Sequence, residues 1–523
     1  MMDLLGLGLA LSVGQVGAGA PVPPAPLFPQ PIVMPYNSQP LPAPTVQTLP
    51  QMIVPAPTPN VFPRTYSYPV LGQPAPEQIP GPKNGEKKNG EEKKNGEEKK
   101  NGEEKKEEEK KEEEKKEPEK YWFMETLEGT ALGDVLKERR ITITGWLEGS
   151  YTKGRANPLG NNGTVVWNDR NDRFLLQQDW VRIEKAVDTD SKCPSWGWHI
   201  DFLFGSDYRF TLPRGLWNAQ LLNSRFTDDG VPMQNLYGVD LPQFYLSYYM
   251  PNLWEGTEVR FGRMFTPFGY ESVEAVSTPL LSRSYAFNWA PPFTNEGLMI
   301  LPTFSKQWSG KFMVANGNDV FLGDPSEEWR FLGAVTWTSE DSNDSWTFGT
   351  SYGRGKFNAG EPFNPATAST MSEAAGRNNI NVFDLVYTHK ICDRYSYAIE
   401  GIYGYQYGVP TTLAVGPISG AAISTDRLSE TATWGSICQY FTINHTDKVS
   451  SILRAEVFDD FDGQRTGFDG AYYAVTYGIQ WKPSKCWLIR PEVRYDYNGT
   501  SRPFVAGTQH GLFTAAADAI LRW

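Results

Sequence analysis

The sequence predicts an all-β protein: a transmembrane antiparallel up-and-down β-barrel of about 16 strands, in the range of about 14–18, behind a disordered Pro-rich and Glu/Lys-rich N-terminal extension. Three observations predict it. Segments alternating strictly between apolar and polar residues recur from residue 141 to the end of the chain. The connections between those segments alternate between long and short. No stretch supplies the ~18 consecutive apolar residues of a helical membrane span, a test that a barrel escapes because its signal is alternation alone.

The chain is read in order. Residues 1–20, MMDLLGLGLALSVGQVGAGA, hold a short apolar run and an Ala18-Gly19-Ala20 end that is similar to a signal-peptidase site, although Asp3 stands where a basic residue is usual. Residues 21–82 are proline-rich (PVPPAPLFPQP, PAPTPN), which removes backbone donors and favours extended conformations without a core. Residues 83–120 form a Glu/Lys low-complexity spacer. Its Asn-Gly pairs break helix, whereas Glu107 and Lys111, four apart, suit a solvated helix of coiled-coil composition ending at Pro118. Contact of this spacer with an anionic cell-wall polymer is the sharper reading, and a plain spacer is the simpler one. Residues 121–140 are read as a short lead-in helix or linker.

The barrel is expected over 141–523. Alternating segments fall at 141–151, 173–185, 195–210, 241–250, 256–264, 297–304, 308–317 and 328–338, then at 345–354, 380–390, 395–408, 431–443, 449–458, 471–482, 486–497 and 511–523. Most are near the roughly 9–11 residues that a tilted membrane strand needs. Connections after odd strands are long, at 152–172, 211–240, 265–296, 318–327, 355–379, 409–430, 459–470 and 498–510. Those after even strands are short, such as PNLWE, SKQ, ICDR and PSK. An outer-membrane barrel sorts its loops in this way, with short periplasmic turns and long outer loops, and a Greek-key sandwich has no reason to.

The two faces agree. In WGWHIDFLFGSDYRF (196–210), Trp196, Trp198, Ile200, Phe202, Phe204, Tyr208 and Phe210 share one parity, and His199, Asp201, Asp207 and Arg209 the other. Lipid-facing Arg or Lys costs about 2–4 kcal/mol at mid-membrane, so charges are expected in the lumen.

Net charge is −12, from 49 Lys+Arg against 61 Asp+Glu. That balance argues against nucleic-acid binding; a cation-favouring channel and simple solubility both account for it. Cys193, Cys392, Cys438 and Cys486 have no metal-ligand spacing, and three of them lie beside short turns where a disulfide is conceivable.

CPSWGWHIDFLFGSDYRF (193–210), VRFGRMFTPFGYES (259–272), LRAEVFDDFDGQRTG (453–467) and LIRPEVRYDYNG (488–499) resemble the OmpL-like family of outer-membrane β-barrel porins. The resemblance covers about residues 140–523. It implies a barrel that conducts small solutes, and it carries over no ligand set.

By parity the pore-lining candidates are Glu148, Asp201, Arg209, Glu258, Arg260, Arg330, Glu400, Arg454, Glu456, Arg490, Glu492 and Arg494. Opposed Arg and Glu clusters would set a transverse field across a constriction; a mutually neutralised lumen network is the plainer reading. The connection 265–296 is the constriction-loop candidate, bringing Glu271, Glu274 and Arg283 into the channel unless it stays outside as a flap. Trp523, ending the last strand, is similar to the terminal aromatic by which assembly machinery recognises such barrels. The Asp459, Asp460, Asp462 run before Gly463 lacks the spacing and distal Glu of a calcium loop. The pairs Asp201/Asp207 and Glu400/Glu456 are carboxylate dyads in principle, but His199, His389, His445 and His510 are scattered and no hydrolase motif appears.

The expectation is therefore a non-enzymatic porin of the bacterial outer membrane, its N-terminal extension in the periplasm, passing small hydrophilic solutes or ions by passive diffusion. A structural barrel or surface adhesin is the alternative. Outer-membrane lipid, the assembly machinery and sister subunits in a homo-trimer are the expected partners; no cofactor or metal is expected.

Overall fold

The computed structural model describes residues 121–154, 162, 164, 165, 167–216, 222–226, 232–322, 329–354, 380–407, 431–505 and 507–523. The expected signal segment, the Pro-rich region and the Glu/Lys spacer lie outside the described residues. Two short helices come first. α1 (Trp122–Leu127) is followed by α2 (Ala131–Arg139), which Thr130 caps by accepting from the Gly133 amide at 3.0 Å and which Arg140 ends in the left-handed region.

A closed antiparallel barrel of 16 strands follows. The strands are β1 (Ile141–Gly154), β2 (Arg173–Lys185), β3 (Ser195–Gly205), β4 (Phe244–Met250), β5 (Thr257–Phe265), β6 (Thr294–Pro302), β7 (Trp308–Ala315) and β8 (Arg330–Thr338). The circuit continues with β9 (Asp344–Gly353), β10 (Asn381–Lys390), β11 (Tyr395–Tyr407), β12 (Thr431–Thr446), β13 (Val449–Asp460), β14 (Gly470–Ser484), β15 (Trp487–Asn498) and β16 (Gly511–Arg522). Each strand pairs with the next, and β16 returns to β1, from Trp146 opposite Arg522 to Gly154 opposite Thr514. Closure removes every sheet edge, as hydrocarbon demands of a spanning sheet.

Alternation decides what each strand shows. On β14, Tyr473, Val475, Tyr477, Ile479 and Trp481 are exposed on the outer wall, whereas Tyr472, Ala474 and Thr476 are buried inside. One-residue alternation of this kind fixes the register, because a slip would turn every aromatic residue inward. Both helices sit beside the short-turn end: Phe123 packs edge-on to Trp523 at 5.6 Å, and Glu125 pairs with Lys485.

Two local expectations are corrected. The third strand ends at Gly205 rather than continuing to 210. Gly205 sits at φ 151°, with an added Cβ only 2.0 Å from the Gln177 carbonyl oxygen, and the chain then turns into a helical turn, α3 (Tyr208–Thr211). Tyr208, Arg209 and Phe210 are therefore buried in a loop and do not continue the strand's two faces. The fourth strand, read as 241–250, is Phe244–Met250, with Gly238–Asp240 pairing separately against the end of β3. A bulge in β2 sets Glu148 opposite Gln178 but Gly149 opposite Leu176, so Gln177 is an extra residue.

Candidate functional site

The third long connection, 266–293, runs into the barrel interior, where strand side chains hold its backbone. Glu400 of β11 accepts from the Tyr270 amide at 3.0 Å. Gln178 of β2 accepts from the Ala275 amide at 3.0 Å and donates to the Val273 carbonyl at 2.9 Å. Glu492 of β15 accepts from the Ser282 amide at 3.1 Å. Glu456 of β13 takes the Tyr285 and Ala286 amides at 2.8 and 2.6 Å, at the start of a short helix, α4 (Tyr285–Trp289), which Ser284 caps through the Phe287 amide. Guanidiniums take the carbonyls: Arg490 donates to Ala275 and Thr278 at 2.9 and 2.8 Å, and Arg494 to Arg283 at 2.6 Å. A loop buried this deeply satisfies its backbone only through such partners.

Most of the charges expected along the wall thus have a defined neighbour. Arg454 pairs with Glu271 at 2.7 Å, and Glu271 also accepts from the Ser284 amide. Arg490 forks onto Asp518 and reaches Glu148 at 3.4 Å; Arg494 forks onto Asp496 at 2.7 Å. Arg182 binds both oxygens of Asp201 at 2.8 and 2.9 Å and also Glu274, and Asp201 lies 3.1 Å from His199. Arg260 forks onto Glu258 and lies over the Tyr245 ring. Arg330 donates to Asn381, and Arg209 forks onto Asp169 in the first long connection. Arg283 donates to the carbonyls of Ser272, Leu281 and Val273 and stacks over Trp167. The arrangement is one of charges each held by a nearby partner, either an opposite charge or a backbone or amide group.

Toward the long-loop end, three connections meet in an apolar cluster. Val165 and Trp167 come from the first, Phe210 and Leu212 from the second, and Phe287, Trp289 and Phe293 from the third. Trp167 lies 5.2 Å from Phe210 and 5.8 Å from Phe287, and the Trp289 ring donates to the Thr164 carbonyl at 3.1 Å. Asp207 is buried beside this cluster, where Gln178 donates to it at 3.0 Å. Burial pushes its carboxyl up to about 6, against the lowering pull of Arg283 and Arg209.

Toward the short turns, the other face of the loop leaves a cavity of about 570 Å³ against β7 to β14. Its wall is rich in hydroxyls and amides, among them Thr336, Thr347, Thr388, Thr442, Asn444 and Gln480; Lys311 and Lys482 are its charged side chains.

The remaining candidates resolve into local structure. Asp460 caps its own turn by accepting from the Arg465 and Thr466 amides at 2.9 and 2.7 Å, and Asp462 reaches across to β12, accepting from the Thr433 amide at 2.8 Å. Among the described residues no group of three or more metal-type side chains converges. Asp201/Asp207 and Glu400/Glu456 each serve the contacts given above. All four cysteines are free thiols, with Cys438 buried on β12. Trp523 closes the barrel seam, its amide donating to the Gly145 carbonyl at 2.9 Å and its own carbonyl accepting from Gly145 at 2.9 Å.

Several residues of the site escaped the sequence reading. Asp518 stands on the inward parity of its strand, so alternation alone would have found it. Gln178 is hidden by the bulge beside it, and Lys311 is inward only once Met313 and Ala315 fix the parity of β7.

A family model described as "Putative beta-barrel porin-2, OmpL-like" matches residues 140–522, well over half of the chain. A search of curated protein sequences finds no match. Among solved structures, an anion-selective porin from Comamonas acidovorans is similar at 11% identity and a TM-score of 0.47, covering 73% of this chain and 99% of its own. The outer membrane channel DcaP of Acinetobacter baumannii is similar at 10% identity and a TM-score of 0.44, covering 73% and 97%. OprB of Pseudomonas putida is similar at 10% identity and a TM-score of 0.43, covering 75% and 96%. At such identities and TM-scores nothing about a solute transfers.

Proposed function

The chain belongs to the OmpL-like family of β-barrel porins, and from that premise we propose that it is a diffusion porin of the bacterial outer membrane that lets small hydrophilic solutes or ions move down their gradients. The observation that carries this reading is the connection 266–293, held inside a closed barrel with a polar cavity of about 570 Å³ on its short-turn face. A loop held at many points narrows a lumen to a fixed aperture, and an aperture of fixed polarity sorts solutes by size and charge. The role read here is passive and non-enzymatic: Glu400, Glu456 and Glu492 are engaged in holding the loop's amides.

On this reading the short turns and helices α1 and α2 face the periplasm, together with the N-terminal extension. The Glu/Lys spacer would reach toward cell-wall polymer, three barrels would associate as a homo-trimer in outer-membrane lipid, and Trp523 would be read by the assembly machinery. A second reading, a structural barrel or surface adhesin without a conducting path, is favoured by the apolar cluster of Val165, Trp167, Phe287 and Trp289 at the long-loop end. Planar-bilayer recording of the refolded protein separates the two. Discrete conductance steps are expected; silence from protein with the heat-modifiable gel mobility of a folded barrel would overturn the porin reading and leave the structural one.

A further inference from the structure

Given the conducting role proposed above, we propose that the cavity on the short-turn face of the inserted loop is an anion-preferring vestibule, its sign set by Lys311 of β7 and Lys482 of β14. This runs against the cation-favouring channel, one of the two readings that a net charge of −12 admits.

Total charge matters less than the charge that meets the water of the passage. The inward carboxylates are buried: Glu271 is held by Arg454, Asp496 by Arg494 and Asp518 by Arg490, Glu400, Glu456 and Glu492 take loop amides, and Asp384 of β10 is buried as well. None of them lines the cavity, whose charged side chains are Lys311 and Lys482, both exposed to its interior. Lys311 forms no ion pair with any described residue. A sphere of the cavity's volume has a radius of about 5 Å, well inside the ~10 Å Debye length at 0.1 M salt, so an ion anywhere within it feels both ammonium groups. Low-dielectric barrel walls focus that field further.

The neutral lining fits the same solute. Hydroxyls such as those of Thr347, Thr388 and Thr442 and the amides of Asn444 and Gln480 can donate to an anion that sheds part of its hydration shell. The class of solute is a small inorganic or organic anion, with chloride and inorganic phosphate as the simplest probes.

The test is the reversal potential of the full-length protein in a planar bilayer under a potassium chloride gradient, for the wild type and for Lys311→Glu/Lys482→Glu. Chloride preference in the wild type is expected, with the chloride-to-potassium permeability ratio falling at least about threefold in the variant, as rings of opposite charge reverse pore preference. A potassium-preferring wild type, or an unchanged ratio in a variant of wild-type heat-modifiable mobility, would overturn the vestibule while leaving the porin reading standing. A silent wild type would instead overturn conduction. Calorimetric titration of the detergent-solubilised protein with inorganic phosphate then decides the site: heat that disappears in Lys311→Gln/Lys482→Gln sustains it, and no heat in the wild type ends it.

Discussion

Arg454 on β13 and Glu271 in the inserted loop form an ion pair 2.7 Å long with both side chains fully buried. The pair does not stand alone: Arg454 also donates to the Ser282 carbonyl and hydroxyl and to Thr476, and Glu271 takes the Ser284 amide and hydroxyl. Removing one partner strands the other charge in the interior. Glu271→Ala is therefore expected to destabilise the barrel by about 3–5 kcal/mol. Urea unfolding in lipid vesicles measures it, and Glu271→Gln, which keeps the acceptor but not the charge, should lose less.

Glu456 fastens the other end of the loop by taking two amides at the start of α4. Glu456→Ala leaves both amides buried without an acceptor, at a cost of about 1–3 kcal/mol each. The local answer is for the helix to leave the wall. Single-channel recordings of this variant are expected to be noisier and larger in amplitude than the wild type, while the gel mobility of the folded barrel stays the same.

Asp207 gives the protein a pH dependence of predictable sign. Its carboxyl titrates at about 6 in the folded chain and at about 4 when unfolded, so the folded form binds the proton more tightly. The resulting stabilisation is complete below about pH 4 and is lost as pH rises through about 6. The temperature of heat modification should fall across that window, and Asp207→Asn should flatten the profile. A profile unchanged in Asp207→Asn would assign the dependence to another group.

The seam between the two ends of the sheet is tight. A Cβ on Gly145 would lie 2.1 Å from the Trp180 carbonyl oxygen and 2.5 Å from the Trp523 ring, so Gly145→Ala must push backbone as well as side chain. Lower yield of folded barrel is expected both in cells and on refolding from urea. Trp523→Ala separates the roles: if the ring serves as an assembly signal, yield in cells falls severalfold while refolding in detergent is spared.

Alternation made the wall legible because the pleat gives every strand only two faces, and lipid and lumen treat them differently. Trp196 and Phe202 on β3 and Tyr473 and Trp481 on β14 could be placed on the outer face from parity alone. The same reading overran at Tyr208 and Phe210, since an aromatic residue facing lipid and one packed in a loop cluster look identical in sequence. The turn at Gly205 depends on the approach of the Gln177 carbonyl from another strand. The inserted loop could be suspected from its length and mixed chemistry. Its path could not, because Glu400, Glu456 and Glu492 bind backbone amides, and every stretch of chain offers those.

Asp179 breaks the rule that charge belongs inside. Asp179 lies in the middle of β2, opposite Leu147 on β1 and Phe204 on β3, and both of those side chains are exposed on the outer wall. Register therefore turns Asp179 outward into the apolar band, between a leucine and a phenylalanine. A carboxylate there costs less than the about 2–4 kcal/mol of a lipid-facing Arg or Lys at the midplane, but the sign is the same. Asp179→Leu is expected to stabilise the barrel by about 1 kcal/mol, read as a higher urea midpoint in phospholipid vesicles. A lower midpoint, with loss of a slow-migrating oligomer on native gels, would mean that Asp179 meets a polar group of a neighbouring subunit rather than lipid.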